Sequence, residues 1–275
     1  MQQEGHEAFM KRRIAQVDKL EEVIRRLPHT DKKIIVTHSG GMDSATAVIM
    51  CAHHYGADNV ISLGYDYGQK QRVELEYAQR LCDELGVTRE VLDLGILGKV
   101  VKNVSANISG TDIEMPTITD ILGNPQPPTY VPYRNMIMFS LTAAFAEANG
   151  ASHIVCGLQV HDEYSYWDTT QKFVDGINNV YDQNRSWPLT LIAPFSDLSK
   201  TEEISLLEEL GETELLKHTL TCYDPVDKVE WVNGKPITHG VACGKCPSCS
   251  ERIQAFMNKG MKDPIMYNID IPWRR

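Results

Sequence analysis

The sequence predicts an α/β fold with a doubly wound, mostly parallel sheet of Rossmann-like type. Strand-like apolar runs alternate with helical segments between residues 31 and 211. A glycine pair follows the first of these runs, at the place where doubly wound sheets bind ligands. Residues 212–275 carry a hairpin pattern and a cysteine cluster, whereas residues 1–30 are predicted to form a helical extension. We therefore expect a central α/β domain with a small C-terminal metal-binding segment.

The order of the elements follows from hydrophobic spacing and from glycines at the ends of helices. Predicted strands cover residues 33–38, 59–68, 89–95, 153–160 and 189–195. Predicted helices cover residues 44–56, 71–86, 134–150 and 200–211. A loop rich in proline and glycine, residues 109–133, separates the third strand from the third helix. Loops of this length in compact domains are usually functional or mobile.

Composition and charge narrow the function classes. The chain has 275 residues with 27 basic and 37 acidic side chains, which gives a net charge of −10. Such an acidic balance argues against a whole-surface nucleic-acid binder. No apolar run approaches the length of a membrane span, and residues 1–27 lack the apolar core of a signal peptide. We expect a cytoplasmic protein whose residues 7–27 form a charged amphipathic helix.

The segment Ser-Gly-Gly-Met-Asp-Ser, residues 39–44, has the composition of a phosphate-binding turn. Gly40 and Gly41 allow a phosphate to approach the backbone, and the following helix offers free N–H groups and the positive end of its dipole. Asp43 is suited to capping that helix or to holding Mg²⁺. No Gly-Lys-Ser or Gly-Lys-Thr follows, so this is not a Walker A loop. An ordinary strand-to-helix turn is the alternative interpretation.

The C-terminal segment carries a clustered set of cysteines. Gly244 allows a tight turn between two thiolates, and the sequence Asn233-Gly234 between alternating residues predicts a hairpin within residues 223–242. In a cytosolic chain such clustering favours a metal, and four thiolates suit a closed tetrahedral zinc site. An iron–sulfur cluster, or a site in which His239 replaces the first cysteine, is the alternative. The predicted zinc ligands are Cys222, Cys243, Cys246 and Cys249.

Beyond these local arguments, residues 39–44 resemble the pyrophosphate loop of the N-type ATP pyrophosphatases. Members of that superfamily cleave ATP between the α and β phosphates and attach AMP to a carboxyl or carbonyl oxygen. The resemblance implies ATP and Mg²⁺ as ligands. It also implies that the loop holds the leaving pyrophosphate through Ser39, Gly40, Gly41, Met42, Asp43 and Ser44.

Three further stretches resemble the 7-cyano-7-deazaguanine synthase family. They are Asp-Tyr-Gly-Gln followed by Glu-Leu within residues 65–81, Val-Pro-Tyr-Arg-Asn at 131–135, and Cys-Gly-Lys-Cys-Pro-Ser-Cys at 243–249. The Pro-Phe stretch that leads to Lys200 also fits that family, and the resemblance runs from about Lys33 to Phe256. It implies a ligase that converts 7-carboxy-7-deazaguanine and ammonia into a nitrile through an adenylated acid and an amide. The implied catalytic residues are Asp43, Arg134 and Lys200, and Gln69 is placed near the nucleotide.

Two features depart from the family pattern. Twenty residues separate Cys222 from the cysteine cluster, where the family has a short gap. The family's Tyr-Ser-Gly-Tyr-Pro-Asp-Cys-Arg loop corresponds here to Tyr-Ser-Tyr-Trp-Asp-Thr-Thr, residues 164–170. Trp167 replaces a proline and adds a stacking face for a planar base. We expect the substrate pocket to contain Tyr164, Tyr166, Trp167 and Asp168.

Other functions remain open at this point. The same activated acid can stop at the amide, or be transferred to an amine on a protein. A tRNA thiolation enzyme is less consistent with the acidic charge and with cysteines already assigned to zinc or core. A non-catalytic nucleotide-binding protein is the fourth alternative. The chain leaves no room for a glutaminase domain, so free ammonia or an amidotransferase partner must supply nitrogen, and we expect a homodimer.

Overall fold

A computed structural model of the chain describes residues 19–121, 124, 126–159, 166–232 and 235–273. Most of the predicted N-terminal helix lies before this range, although residues 19–25 are helical. Tyr164, Asn233 and Gly234 also lie outside the described residues. The predicted fold class is confirmed by the arrangement of the remaining chain.

The central sheet has five parallel strands in the order β3-β2-β1-β4-β5. Ile34 of β1 lies opposite Val60 of β2 on one side and His153 of β4 on the other. The order reverses between β1 and β4, which is the switch point where such sheets bind ligands. The strands are β1 Ile34–Thr37, β2 Val60–Asp66, β3 Thr88–Asp93, β4 His153–Cys156 and β5 Thr190–Ile192.

Helices cover both faces of this sheet. Ile35 points into the core beneath α5 and α6, whereas Ile34 and Val36 point into the core that contains residues of α1. Alternation along a strand produces this division, because successive side chains point to opposite faces. The helices are α1 Met42–Tyr55, α2 Glu74–Leu85, α3 Gly95–Val101, α4 Ile118–Ile121, α5 Arg134–Ala148, α6 Gln171–Tyr181, α7 Lys200–Leu210 and α8 Pro247–Asn258.

The four helices predicted within the α/β domain are confirmed, while α3, α4, α6 and α8 were not predicted. The segment after Trp167, interpreted from sequence only as a pocket loop, continues into α6. Thr170 begins this helix, since its hydroxyl accepts a hydrogen bond from the Phe173 backbone N–H at 3.2 Å. Threonine is a favourable N-cap residue. Its presence in place of the family's arginine therefore has a local structural effect.

The C-terminal segment packs against the α/β domain. The predicted hairpin is confirmed: β6 Val226–Val232 pairs antiparallel with β7 Lys235–Val241. Phe256 of α8 lies fully buried in one cluster with Met42 of α1 and Ile204 of α7. The helix that follows the cysteines therefore supports the first turn of the helix after the glycine loop. Within the described ranges, no helix combines the length and apolar character needed to cross a membrane.

Candidate active site

The glycine loop lies at the carboxyl end of β1, beside the switch point. Gly40 has φ +109°, and a Cβ at this position would lie 2.1 Å from the backbone oxygen of Glu74, so only glycine fits. Within the loop, the Ser39 and Ser44 hydroxyls are 3.1 Å apart, and the Gly41 N–H donates to Ser39 Oγ at 3.2 Å. Gly41 begins α1 without a side-chain cap. The turn is therefore compact and leaves room for a ligand at the helix N-terminus.

A cavity of about 260 Å³ opens directly above this loop. Its walls come from the ends of β1, β2 and β4, from the start of α5, and from residues 220–223. Ser39, Gly41, Asp43 and Ser44 line it, as does Arg134. Met42 does not, because its side chain is fully buried in the core and its N–H donates to Thr221 Oγ1 at 2.8 Å. The sequence-predicted loop and the predicted arginine thus share one cavity.

Asp43 and Lys200 form an ion pair beside the loop. Lys200 Nζ is 2.9 Å from Asp43 Oδ2, 3.0 Å from Gln159 Oε1 and 3.6 Å from Glu251 Oε2. Burial alone would lower the pKa of Lys200, but Asp43, Glu251 and Glu203 raise it above its ordinary value. A charged ammonium at the start of a helix is electrostatically unfavourable unless anions surround it. These carboxylates explain how the sequence tolerates a lysine there.

One oxygen of Asp43 has no donor from the described residues of the site and lies beside the Glu203 carboxyl. Asp43 Oδ1 is buried without a hydrogen-bond partner. Glu203 is fully buried nearby, and desolvation followed by the charge of Asp43 raises the pKa of the Glu203 carboxyl well above its ordinary value. An unpaired carboxylate oxygen at the edge of a phosphate-sized cavity fits a divalent cation, because hard cations prefer oxygen ligands. Asp43 did not become the helix cap that the sequence also allowed.

Arg134 connects the main cavity to a second, smaller one. It is the first residue of α5 and follows Tyr133, whose φ of +54° is the one positive value among the described non-glycine residues. Its Nη1 lies 3.4 Å from Tyr67 Oη. The small cavity, of about 20 Å³, is lined by Arg134 together with Tyr166 and Asp168. The guanidinium is therefore available to groups on either side.

The predicted substrate residues divide into two groups. Tyr166 and Asp168 line the small cavity, and Asp168 Oδ2 accepts a hydrogen bond from the Asn135 N–H at 3.2 Å. Burial raises the pKa of Asp168, and Arg134 opposes that effect. Trp167 lies elsewhere: its indole N–H donates to Tyr130 Oη at 2.7 Å, and its ring packs edge-to-face on Tyr133. Trp167 therefore packs against Tyr130, a residue of the small cavity, without lining either cavity itself.

Gln69 does not line the main cavity either. Its Oε1 accepts from the Tyr67 N–H at 2.9 Å, and its Nε2 donates to the Tyr65 carbonyl at 3.0 Å. It also hydrogen-bonds to Glu74. Gln69 thus fixes the turn between β2 and α2. Between the end of β2 and the first residue of α2, the cavity is lined by Tyr67, Gln71 and Glu74, none of which was predicted as a site residue.

The four C-terminal cysteines come together as predicted. Their sulfur atoms all lie within 4.8 Å of one another, and Cys243 Sγ is 3.9 Å from Cys249 Sγ. Four sulfurs about 2.3 Å from a central ion would be about 3.8 Å apart in a tetrahedron. Gly244, with φ +78°, forms the turn that allows the Lys245 and Cys246 N–H groups to reach Cys243 Sγ at 3.5 and 3.4 Å. The cluster has the donor set and spacing of a metal site.

The strand order, the loop at its switch point and the lysine–aspartate pair give an α/β protein with a candidate phosphate-binding site at the switch point of its sheet. The family model for Queuosine biosynthesis protein QueC matches residues 33–260. Because this match covers most of the chain, the chain belongs to the QueC family. It is accordingly an ATP-dependent ligase-type enzyme.

Individual relatives agree with this assignment. The chain is 34% identical over 241 residues to the 7-cyano-7-deazaguanine synthase of Campylobacter hominis. This alignment covers 86% of this chain and 99% of the relative. It is 31% identical over 237 residues to the synthase of the same name from Chromobacterium violaceum, covering 86% and 94%. Among solved structures, an NH3-dependent NAD synthetase from Campylobacter jejuni aligns with TM-score 0.41 and 19% identity over 72% of this chain and 73% of that one.

Proposed function

We propose that the protein uses ATP and ammonia to convert 7-carboxy-7-deazaguanine into 7-cyano-7-deazaguanine. One observation supports this above the others: the glycine loop, Asp43 and Arg134 line a single cavity at the switch point of a QueC-family sheet. A site that places phosphate-binding groups beside a guanidinium suits a reaction in which a carboxylate attacks a phosphate. The relatives carry the name of this synthase.

In the proposed mechanism the loop binds the β and γ phosphates of ATP. Ser39 and Ser44 offer hydroxyl donors, and the N-terminus of α1 offers backbone N–H groups and a favourable dipole. Lys200 supplies a positive charge that Asp43 holds in place at 2.9 Å. Asp43, through its unpaired oxygen, is the residue that would hold Mg²⁺, whose bound charge stabilises departing pyrophosphate.

The carboxylate of the substrate then attacks the α phosphorus, and pyrophosphate leaves. Arg134 orients the carboxylate and offsets charge on the phosphoryl oxygens. Ammonia displaces AMP from the adenylate and gives an amide. A second ATP activates the amide oxygen in the same way, and loss of AMP and of the two N–H protons leaves the nitrile. We assign Tyr166 and Asp168 to binding of the deazaguanine ring. This assignment requires the small cavity beside Arg134 to widen when the substrate enters.

We propose that the four cysteines hold a structural Zn²⁺. All four sulfurs are buried, and a closed four-thiolate site offers no open position for catalysis. The ion would fix residues 220–223, which form one wall of the main cavity, to the start of α8. A homodimer and a cytoplasmic location remain predictions, and size-exclusion chromatography with light scattering tests the former.

The function is tested by mass spectrometry of a reaction with the purified protein, ATP, magnesium, ammonium and 7-carboxy-7-deazaguanine. Nitrile and AMP are the expected products. Asp43→Ala should abolish both, whereas the control Asp58→Ala removes an exposed aspartate from the turn after α1 and should retain them. Amide without nitrile, or an adduct on protein, would replace the proposal by the corresponding alternative. No consumption of the acid would reject the substrate.

A further inference from the structure

Gln71 carries an unsatisfied hydrogen-bond acceptor in the wall of the main cavity. The side chain is 5% exposed, and its Oε1 is buried without a partner. Leaving a buried acceptor unpaired is costly, so such a group in a cavity wall takes a hydrogen bond from whatever occupies the cavity. A carbonyl-type oxygen accepts hydrogen bonds and donates none. The missing partner must therefore carry an N–H or O–H group.

Glu74 lies in the same wall, one turn further along the chain. It is 7% exposed, it lines the cavity, and its N–H donates to the Gln71 carbonyl at 2.8 Å. Its backbone is also held against Gly40 of the phosphate loop. Glu74 therefore lies beside the phosphate loop, in the wall of the cavity where the adenylate is proposed to form. Two acceptors, one neutral and one ionisable, therefore line the same cavity.

The charges around Glu74 determine when it ionises. Burial raises the pKa of its carboxyl to about 8, while Arg134 from α5, a hydrogen bond from Gln69 and Arg89 from β3 oppose that rise. Glu74 therefore changes protonation close to neutral pH. Because Arg134 also lines the cavity, its positive charge lowers the pKa of any ammonium that enters. The surroundings suit transfer of a proton from a bound cation to Glu74.

We propose that Gln71 and Glu74 form the subsite for the nitrogen donor, which enters as ammonium, and that Glu74 accepts the proton whose removal produces ammonia. This inference rests on the proposed function, since it needs ammonia as the nucleophile. The subsite takes a small N–H cation: Gln71 Oε1 and the Glu74 carboxylate both accept its hydrogen bonds. Neither residue was among those that sequence reasoning placed in the site.

The step balances without another reactant. Ammonium transfers one proton to the Glu74 carboxylate and becomes ammonia. The nitrogen lone pair forms a bond to the acyl carbon of the adenylate, and the bond from that carbon to the AMP oxygen breaks with its electron pair on AMP. The nitrogen then loses a second proton to water, and Glu74 returns its own proton to water before the next turnover.

The test compares two partial reactions in Glu74→Gln and Gln71→Leu. Exchange of labelled pyrophosphate into ATP, driven by the acid without ammonium, reports adenylation alone. We expect this exchange to be retained with an unchanged KM for the acid. The KM for ammonium in amide formation should rise on the order of tenfold or more, as expected for loss of a hydrogen bond to a charged partner. The matched control is Glu76→Gln, which changes an exposed glutamate two residues further along α2. This substitution should alter neither the exchange rate nor the KM for ammonium.

Two further readouts separate proton transfer from a structural role. Hydroxylamine is uncharged at neutral pH, so Glu74→Gln should form the hydroxamate at close to the wild-type rate. In the wild type, kcat/KM for total ammonium should rise with pH and level off above about 8, where Glu74 is ionised. In the variant it should keep rising with the fraction of free ammonia.

Each contrary result has a distinct meaning. Wild-type protein without acid-dependent exchange would reject the proposed function itself. Exchange in the wild type but a normal KM for ammonium in both variants would reject the subsite alone. Loss of exchange in a folded Glu74→Gln, or a raised KM for the acid, would show that these acceptors bind the amino group of the acid, which also overturns the inference. If Glu74→Gln fails to fold, Gln71→Leu decides.

Discussion

Gly157, which follows β4, is predicted to set the position of the phosphate loop. A Cβ on this residue would lie 2.6 Å from the backbone carbon and oxygen of Asp43 and 2.7 Å from the N of Ser44. Ordinary contact begins near 3.4 Å, so Gly157→Ala must push the two segments apart by about 0.8 Å. The atoms in the way are backbone atoms of the first turn of α1 and cannot move by a rotamer change.

Two consequences follow for Gly157→Ala. The free energy of unfolding should fall by about 1–3 kcal/mol, as for other overpacked sites. Displacement of the phosphate-binding turn by most of an ångström should lower the rate of AMP formation on the order of a hundredfold. Chemical denaturation measures the first effect, and the initial rate of AMP release at saturating ATP measures the second.

Gly176→Ala is the matched control for this substitution. Gly176 lies inside α6, and a Cβ there would meet nothing within 4 Å. Alanine should stabilise the helix by about 0.5–1 kcal/mol and leave AMP formation unchanged. If Gly157→Ala retained wild-type AMP formation, or behaved like Gly176→Ala in denaturation, the close packing of this strand end against the loop would not matter as argued.

Three other predictions concern stability, pH and metal content. Arg252 and Asp263 have fully buried side chains joined by two hydrogen bonds of 2.6 and 2.9 Å. Asp263→Asn should therefore lower the free energy of unfolding, measured by urea denaturation, by about 3–5 kcal/mol. A decrease below about 1 kcal/mol would contradict this. Burial, followed by the charge of Arg89, lowers the pKa of His38, so the unfolded chain binds a proton that the folded chain does not. The free energy of unfolding should therefore fall as pH drops below about 6.5, and His38→Gln should remove up to about 1.4 kcal/mol per pH unit of that slope; an unchanged slope would show that His38 is protonated in the fold. Cys246→Ser should lose the bound metal by elemental analysis and melt at lower temperature, whereas Cys51→Ala should keep its metal; full metal content in Cys246→Ser would remove that residue from the site.

The sequence was sufficient for the fold class and for the parts of the site that lie close together in the chain. Residues 39–44 carry their own turn chemistry, because glycines and a helix start are local features. The cysteines at 243, 246 and 249 are similarly local, and the hairpin brings Cys222 back to them. Positions marked by a glycine turn, a helix start or a short cysteine spacing can therefore be predicted from the sequence.

Local sequence patterns do not predict the contacts between segments that are distant in the chain. Lys200 reaches Asp43 across 157 positions, and the three carboxylates that stabilise its charge come from three different helices. The motif around Gln69 does not show which side chains face the cavity and which face the backbone, so it does not identify Gln71 and Glu74 as cavity residues. Helix α6 is not evident from the sequence, because the aromatic residues just before it favour a pocket loop and its N-cap is a single threonine.

The central claim is that a carboxyl oxygen is activated by AMP, and oxygen-18 tracing tests it most directly. The acid is supplied with oxygen-18 in both carboxyl positions, with unlabelled ATP and ammonium, and all products are analysed by mass spectrometry. Each nitrile should be accompanied by two AMP molecules, each with one oxygen-18 in its phosphate, and by unlabelled pyrophosphate. Formation of ADP with oxygen-18 in inorganic phosphate, or AMP without label, would contradict it.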